Sequence, residues 1–486
     1  MARRILNADS LAAQGNQRGR QDMLAILEAG LQAADPYNNT RRLVRREGDR
    51  LVVEGSDFEP RGDPASGPAI FDLVKVGRVY VIGACKGVHR VAQALEDALG
   101  DRLTGGQIIC KHGDQADLRR IGVTYGAHPV PDEGCVRGCE RILDLCHGLR
   151  EDDLVFTIAG NGVSALLTLP VPGVSLEDVR RTTYLMQIER GAPTGDLNPI
   201  RNHLDQVKGG RISRYLRPAT AIHLVLCDPG DYEYYLHHNV WLHFLPEGST
   251  FADAVAMLRR WDVWEEVPAS VREHLLRADP AQETVKPAEF AKGRCRIFGL
   301  SPNRLGPLPA AQTKAAELGY HPHTLCTDLR TEASQAGMFV ATIAKAIERQ
   351  GVPFAPPCAL FTSGELLVTV GQEDGVGGRN QEYALAAARE IAGSASIVVG
   401  AVDTDGTDGP GRQFTANGKA VPQLAGGLID GQTAAAAAEK NVDLLAALRR
   451  HDASRALWQL DSGIVATQNI SVNDLGVTLI GTPNNT

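Results

Sequence analysis

The sequence predicts a two-domain α/β protein whose N-terminal domain is built on a doubly wound parallel sheet. Three observations carry this. At 486 residues the chain exceeds the ~250–300 residues at which a single hydrophobic core stops growing. Short apolar runs alternate with amphipathic helical stretches along most of its length. Glycine-rich turns follow several of those runs, as at strand-to-helix junctions.

Composition narrows the function classes. With 43% hydrophobic and 22% charged residues the chain has enough apolar surface for packed cores, and its 51 glycines allow many tight loops. A net charge of -8, with scattered Lys and Arg, leaves no basic stripe for a phosphate backbone, so no nucleic-acid partner is expected. Nine cysteines form no CxxC pair, and their odd number fits free thiols in a reducing cytoplasm. The N-terminal MARRILNADSLAAQGNQRGRQ lacks the apolar core of a signal peptide, and no apolar run approaches the ~18 residues of a membrane span. Neither secretion nor a membrane partner is expected.

The elements follow in order. Residues 20–35 place Met23, Leu24, Ile26, Leu27 and Leu31 on one face at helical spacing, and DPYNNT ends that helix. LVRREGDRLVVEG reads as a hairpin around Gly48 and Asp49, and RGDPASGP as a loop. VGRVYVIGACKGVHRVAQALEDALGD is a buried strand, a glycine turn and a helix with Val88, Val91, Ala92, Leu95 and Leu99 inward. GGQIICKHGD, EDDLVFTIAG and ATAIHLVLCDPG supply further strands, and the intervening helices imply parallel pairing.

The polar, proline-containing interval 270–295 predicts a boundary, with domains at 1–290 and 291–486. Beyond it, strands are expected at CRIFGLSPN, CALFTSGELLVTV, ASIVVGAVDT, GIVAT and LGVTLIG, with helices at 309–319, 335–350, 381–392 and 432–449. Two such domains place the active site in the cleft between them.

Chemistry is expected at the strand-to-helix turns, where unpaired backbone N–H groups favour anions. In VIGACKG, Gly83 and Gly87 let the backbone approach an anion and Lys86 adds a charge; a plain structural turn reads equally well. In IAGNGVSALL, Gly160, Asn161, Gly162 and Ser164 precede an apolar helix and suit a carboxylate or phosphate. DLNPIRNHLDQVKGGRI gathers Asn198, Arg201, His203, Lys208 and Arg211, as anion ligands or as a solvated basic face. GVGGRNQE delivers Arg379, Asn380 and Glu382 at a helix start, where a guanidinium can grip two oxygens. Asp403, Asp405 and Asp408 in AVDTDGTDGPG read as Mg²⁺ ligands, a general base or Asx turns. YEYYLHHNVWLHF offers His237, His238 and His243 as transition-metal ligands with Asp231 or Glu233 nearby, or as ordinary buried histidines. Cys135, Cys139 and Cys146 read as packing residues.

Assembled in this order, the motifs resemble the glycerate 2-kinase (MOFRL) family over nearly the whole chain. The resemblance rests on ADPY, VIGACKG, HPVPDE, NPIRNHLDQVKGGRI, FADAVAMLRRWDVWEEVPASVREHL, SGELLVTV, GGRNQE, DTDGTDGP and SVNDLGV. It implies a Rossmann-like N-terminal domain, a smaller α/β C-terminal domain, and transfer of the ATP γ-phosphoryl group to the 2-hydroxyl of glycerate with Mg²⁺. The positions matching the family's catalytic groups are Lys86, Arg379, Asp403 and Asp405, with Asp408 as a further metal ligand. Glu365, Asn473 and Asp474 join Gly83, Gly160, Asn161, Ser164, Asn198 and Arg201 as substrate and anion binders.

Several ligand loops depart from the family pattern. The family's SGGGSAL or TGGSSAL loop reads AGNGVSAL, and the lysine of VRKH is Asn202. The stretch that ends in Gly-Pro-Thr in relatives reads GDYEYYLHHNVWLHFLPEGST. RQFTANGKAVPQL is inserted after the aspartate loop, and the GPTGTN segment carries Ala466, Gln468, Asn469 and Ile470. Two readings stay open: a kinase for glycerate or a related sugar acid, and a repurposed ATP-independent lyase, isomerase or hydrolase on a hydroxy acid or larger organic ligand, with a divalent transition metal at the three histidines. A reductase lacks support, because neither half carries GxGxxG followed by an acidic residue. The expected partner is a small hydroxy acid, and the candidate assembly a homodimer.

Overall fold

The computed structural model describes residues 3–409, 414–416, 418–467 and 473–482. The chain divides into two compact units, one of residues 36–303 and one of residues 1–35 with 304–486. In the 36–303 unit six strands form one parallel sheet: β1 Val79–Ala84, β2 Leu103–Lys111, β3 Ile121–Gly126, β4 Leu154–Ala159, β5 Thr220–Val225 and β6 Arg294–Gly299. Their order is β3-β2-β1-β4-β5-β6, with every neighbour parallel. The order reverses between β1 and β4, and ligand sites in such sheets lie past the carboxyl ends of those strands.

Sequence dictates this arrangement locally. LVFTIA of β4 is buried at all six positions, as a central strand covered on both faces must be. Helix α1, Val88–Leu99, turns Val88, Val91, Ala92, Leu95 and Leu99 inward. The predicted hairpin belongs to a small antiparallel sheet of 44–47, 50–53 and 69–72, turning at Gly48 with φ 64°.

The other unit carries a mixed six-stranded sheet of β7 His321–Leu329, β8 Cys358–Gly364, β9 Ile397–Asp403, β10 Gly426–Asp430, β11 Gly463–Ile464 and β12 Asp474–Ile480. Its order is β7-β8-β12-β9-β10-β11, and only β7 with β8 is parallel. The C-terminal strand β12 inserts between β8 and β9 in the opposite direction, so these two helix-separated strands are not neighbours, whereas β7 and β8 are.

The boundary differs from the expected division at 290. Arg294–Gly299, expected in the C-terminal domain, pairs with β5 as the last strand of the parallel sheet. Residues 1–35 belong with the C-terminal unit: helix Gln17–Ala33 sets Met23 and Leu27 against Gly400 of β9, and Arg20 forms a buried ion pair with Asp430 at 2.5 Å. The expected helix 432–449 is two, Thr433–Glu439 and Leu444–Arg449. All nine cysteines are free. Among the described residues no helix is long and apolar enough to cross a membrane.

Candidate functional site

In the 36–303 unit, two glycine turns leave the carboxyl ends of β1 and β4 and are bonded to each other. The Lys86 amide donates to the Asn161 carbonyl at 2.8 Å. Gly87 and Gly162, with φ 72° and 85°, occupy the left-handed region that starts α1 and the short helix α2, Val163–Leu166. A Cβ at Gly162 would lie 3.3 Å from His128 and 3.4 Å from Lys86 Cγ, so these side chains border the same turn. Gly83 and Gly160 serve packing first. Their Cβ atoms would strike Ile158 O at 2.6 Å and Leu226 Cβ at 2.8 Å.

Ser164, in the first turn of α2, shares a 2.8 Å hydrogen bond with Nε2 of His243. Burial, then the charges of Lys208 and Arg201, push His243 well below the ordinary imidazole range, so the ring is neutral at physiological pH. The segment after helix α3, Thr194–His203, is interior rather than a solvated basic face. Lys208 bonds Thr168 Oγ1 at 2.7 Å and Asp205 at 2.5 Å, and Arg211 donates to the carbonyls of Asn202, Asp205 and Gln282. Both are structural. Arg201 donates to Gln187 at 2.9 Å, and burial lowers it to about 10. Asn198 is fully buried, and neither its Oδ1 nor its Nδ2 has a hydrogen-bond partner.

The second set of groups lies in the unit of residues 1–35 and 304–486. Antiparallel register sets Asp474, at the start of β12, opposite Asp403 of β9 and Gly364 of β8. Arg379 opens helix α5, Arg379–Glu390, whose start is reached through Gly377 and Gly378. Its Nε donates to both carboxylate oxygens of Asp474 at 2.9 Å, its Nη2 to Asp403 at 2.9 Å, and its Nη1 stands 3.7 Å from Glu365. Although burial opposes the charge, Asp403, Asp474 and Glu365 hold the guanidinium firmly protonated.

The aspartates respond to crowding. Burial and then Asp405 push Asp403 well above the usual carboxylate range despite Arg379, and burial raises Asp474 too. Asp408 is pushed up to about 6 by burial. Its carboxylate caps α5, accepting from the amides of Asn380 at 3.2 Å and Gln381 at 2.9 Å. Asp405 accepts from Thr407, amide and hydroxyl, both at 2.8 Å. The backbone of Asn473 bonds that of Thr404.

Set against the sequence, the expected residues fall into two built clusters, but several have other tasks. Arg379 grips a carboxylate with two oxygens, that of Asp474, and Glu365 stands beside its Nη1. Asp408 caps a helix, with both carboxylate oxygens engaged by the Asn380 and Gln381 amides. The three histidines do not assemble: His243 is buried on Ser164, His237 pairs with Glu233 at 3.4 Å, and His238 stacks at a tilt on Tyr234. Among the described residues one group offers three clustered metal donors, His89, Cys110 and Asp114, which sequence reading passed over because nothing in local spacing joins them. Also missed was the Ser164–His243 contact, 79 residues apart in sequence. Gln468, Asn469 and Ile470, together with Arg412, Gln413 and Asn417 of the insertion, lie outside the described residues.

The chain is similar to known proteins over most of its length. Residues 22–276 match the family model described as a domain of unknown function, DUF4147, and residues 358–474 match the MOFRL family. The chain is 33% identical to glycerate 2-kinase of Pyrococcus horikoshii, over 95% of this chain and 97% of that protein. It is 32% identical to D-glycerate 2-kinase of Thermotoga maritima, over 84% of this chain and 92% of that one. The crystal structure of glycerate kinase from Thermotoga maritima superposes with a TM-score of 0.73 at 29% identity, covering 95% of this chain and 99% of that chain. A Pyrococcus horikoshii crystal structure gives 0.70 at 31% identity, over 95% and 98%.

Proposed function

This chain belongs to the glycerate 2-kinase (MOFRL) family, and from that premise we propose that it is a kinase that uses Mg-ATP to phosphorylate a hydroxyl of glycerate or a related sugar acid. The observation that carries the reading is Arg379, a guanidinium fixed at a helix start by Asp474 and Asp403 with its Nη1 edge only loosely engaged. Phosphoryl transfer asks the protein for positioning and for charge on the equatorial oxygens more than for covalent chemistry. A guanidinium whose other edge is already clamped meets that demand without reorganising.

The donor set also suits Mg²⁺, which takes hard oxygen ligands and is held by one or two carboxylates plus phosphates and water. Asp403 and Asp405 would hold it. Asp403 is buried and pushed toward protonation by its neighbours, the state that an added cation relieves. Bound there, the ion would offset negative charge on the nucleotide phosphates. In the 36–303 unit, the paired turns at Lys86 and Asn161 offer a charge and backbone amides for the carboxylate of a small acid.

A second reading rests on the Ser164–His243 bond. A neutral imidazole on a serine at a helix start also fits ATP-independent lyase, isomerase or hydrolase chemistry on the same class of acid. Incubation with a panel of hydroxy acids, with and without Mg-ATP, separates the two. ADP release that requires glycerate or a longer aldonate supports the kinase, and substrate loss without nucleotide overturns it.

A further inference from the structure

Three residues after Lys86 in the chain, a second group of polar side chains is drawn from separate parts of the parallel sheet. His89 stands in the first turn of α1, Cys110 near the end of β2, and Asp114 in the turn after β2. One donor atom from each lies within 4.8 Å of the others. The three are 5%, 0% and 9% exposed.

The spacing of the donor atoms suits a shared cation better than a direct bond between His89 and Asp114. His89 Nδ1 is buried with no hydrogen-bond partner. It stands 3.9 Å from Asp114 Oδ2, too far for a hydrogen bond. That spacing is close to the ~3.3–3.8 Å separating two donors that each sit ~2.0–2.3 Å from one tetrahedral ion. The His89 backbone amide lies against the Cys110 sulfur, fixing imidazole and thiol side by side. Burial, with Arg90, lowers the imidazole to about 4 and keeps its lone pair available, while burial and Asp114 raise the thiol, a penalty that a bound cation reverses.

We propose that His89, Cys110 and Asp114 bind a divalent transition ion of the zinc class, apart from the residues assigned to phosphoryl transfer. Mixed nitrogen, sulfur and oxygen donors select zinc-like ions over Mg²⁺. An ion there joins the start of α1 to the carboxyl end of β2 and so braces the turn that carries Cys85, Lys86 and Gly87.

The test uses the full-length protein, reduced and stripped with a chelator, then titrated with Co²⁺. One equivalent should bind with tetrahedral d–d bands and a thiolate-to-cobalt charge-transfer band, and Zn²⁺ should displace it. Cys110→Ala should abolish the charge-transfer band. Asp114→Asn should keep that band but weaken Co²⁺ affinity by at least about tenfold, as loss of a donor or its support does. A folded wild-type protein without the band, or a band that survives Cys110→Ala, overturns the site. If Cys110→Ala does not fold, unchanged Co²⁺ affinity in both Asp114→Asn and His89→Gln overturns it.

Discussion

At Arg379 the geometry of the guanidinium matters more than its charge. Nε and Nη2 are committed to Asp474 and Asp403, so a lysine could carry the charge but not the two-sided grip. Arg379→Ala should lower turnover by about a hundredfold or more, with cooperative unfolding retained, and Arg379→Lys should restore little of it. Steady-state kinetics beside urea unfolding checks both, and near-normal turnover in Arg379→Ala would make the residue structural. The arginine was legible because GGRN opens a helix, and the aspartates because DTDGTDG follows a buried strand. Their bonding was not: Asp474 reaches Asp403 through antiparallel register between strands 71 residues apart, which no local pattern encodes.

Helix α5 and the helix before it, α4 Ala333–Gln350, show the same logic at the scale of elements. Gly337 of the latter sits where an added Cβ would meet the Tyr383 carbonyl of α5 at 2.1 Å, so the two backbones touch there. Gly337→Ala should therefore cost about 1–3 kcal/mol, as overpacking does, and displace the helix that begins with Arg379. Urea midpoints should fall, and an unchanged midpoint would mean the helices are not held this closely. Asp408→Ala removes the cap of α5 and should cost about 0.5–2 kcal/mol. Because burial lifts Asp408 to about 6 from an unfolded value of ~3.9, the fold holds this proton more tightly than the unfolded chain does, and stability falls as pH rises between those values. Asp408→Asn, which keeps an acceptor for the helix amides, should flatten stability near pH 6. The helix faces were legible from their apolar periodicity, while the cap lies 28 residues away from Asn380 and was read as metal chemistry.

For the whole molecule, alternation of strands and helices identified the doubly wound sheet but not where it ends. The polar interval 270–295 is the last part of the connection between β5 and β6, with helices Ala269–Arg277 and Pro287–Phe290 and with Val271, Leu275 and Val285 buried, and not a linker. Residues 1–35 join the C-terminal unit through Arg20 and Asp430, a pairing over 410 residues that sequence alone does not announce. Stability of the 36–303 unit carries its own signature. Burial lowers His223 of β5 to about 3 from an unfolded value of ~6.5, so the unfolded chain binds one more proton between those values. Stability should then fall as pH drops from about 6.5 toward 3, by up to about 1.4 kcal/mol per unit from this residue, and His223→Gln should flatten that slope. The central claim is phosphoryl transfer to a small hydroxy acid, and ³¹P NMR of the protein with Mg-ATP and D-glycerate tests it most directly. The account predicts a new phosphomonoester resonance growing one for one with ADP and absent without glycerate. Conversion of the acid with the ATP resonances unchanged would contradict it.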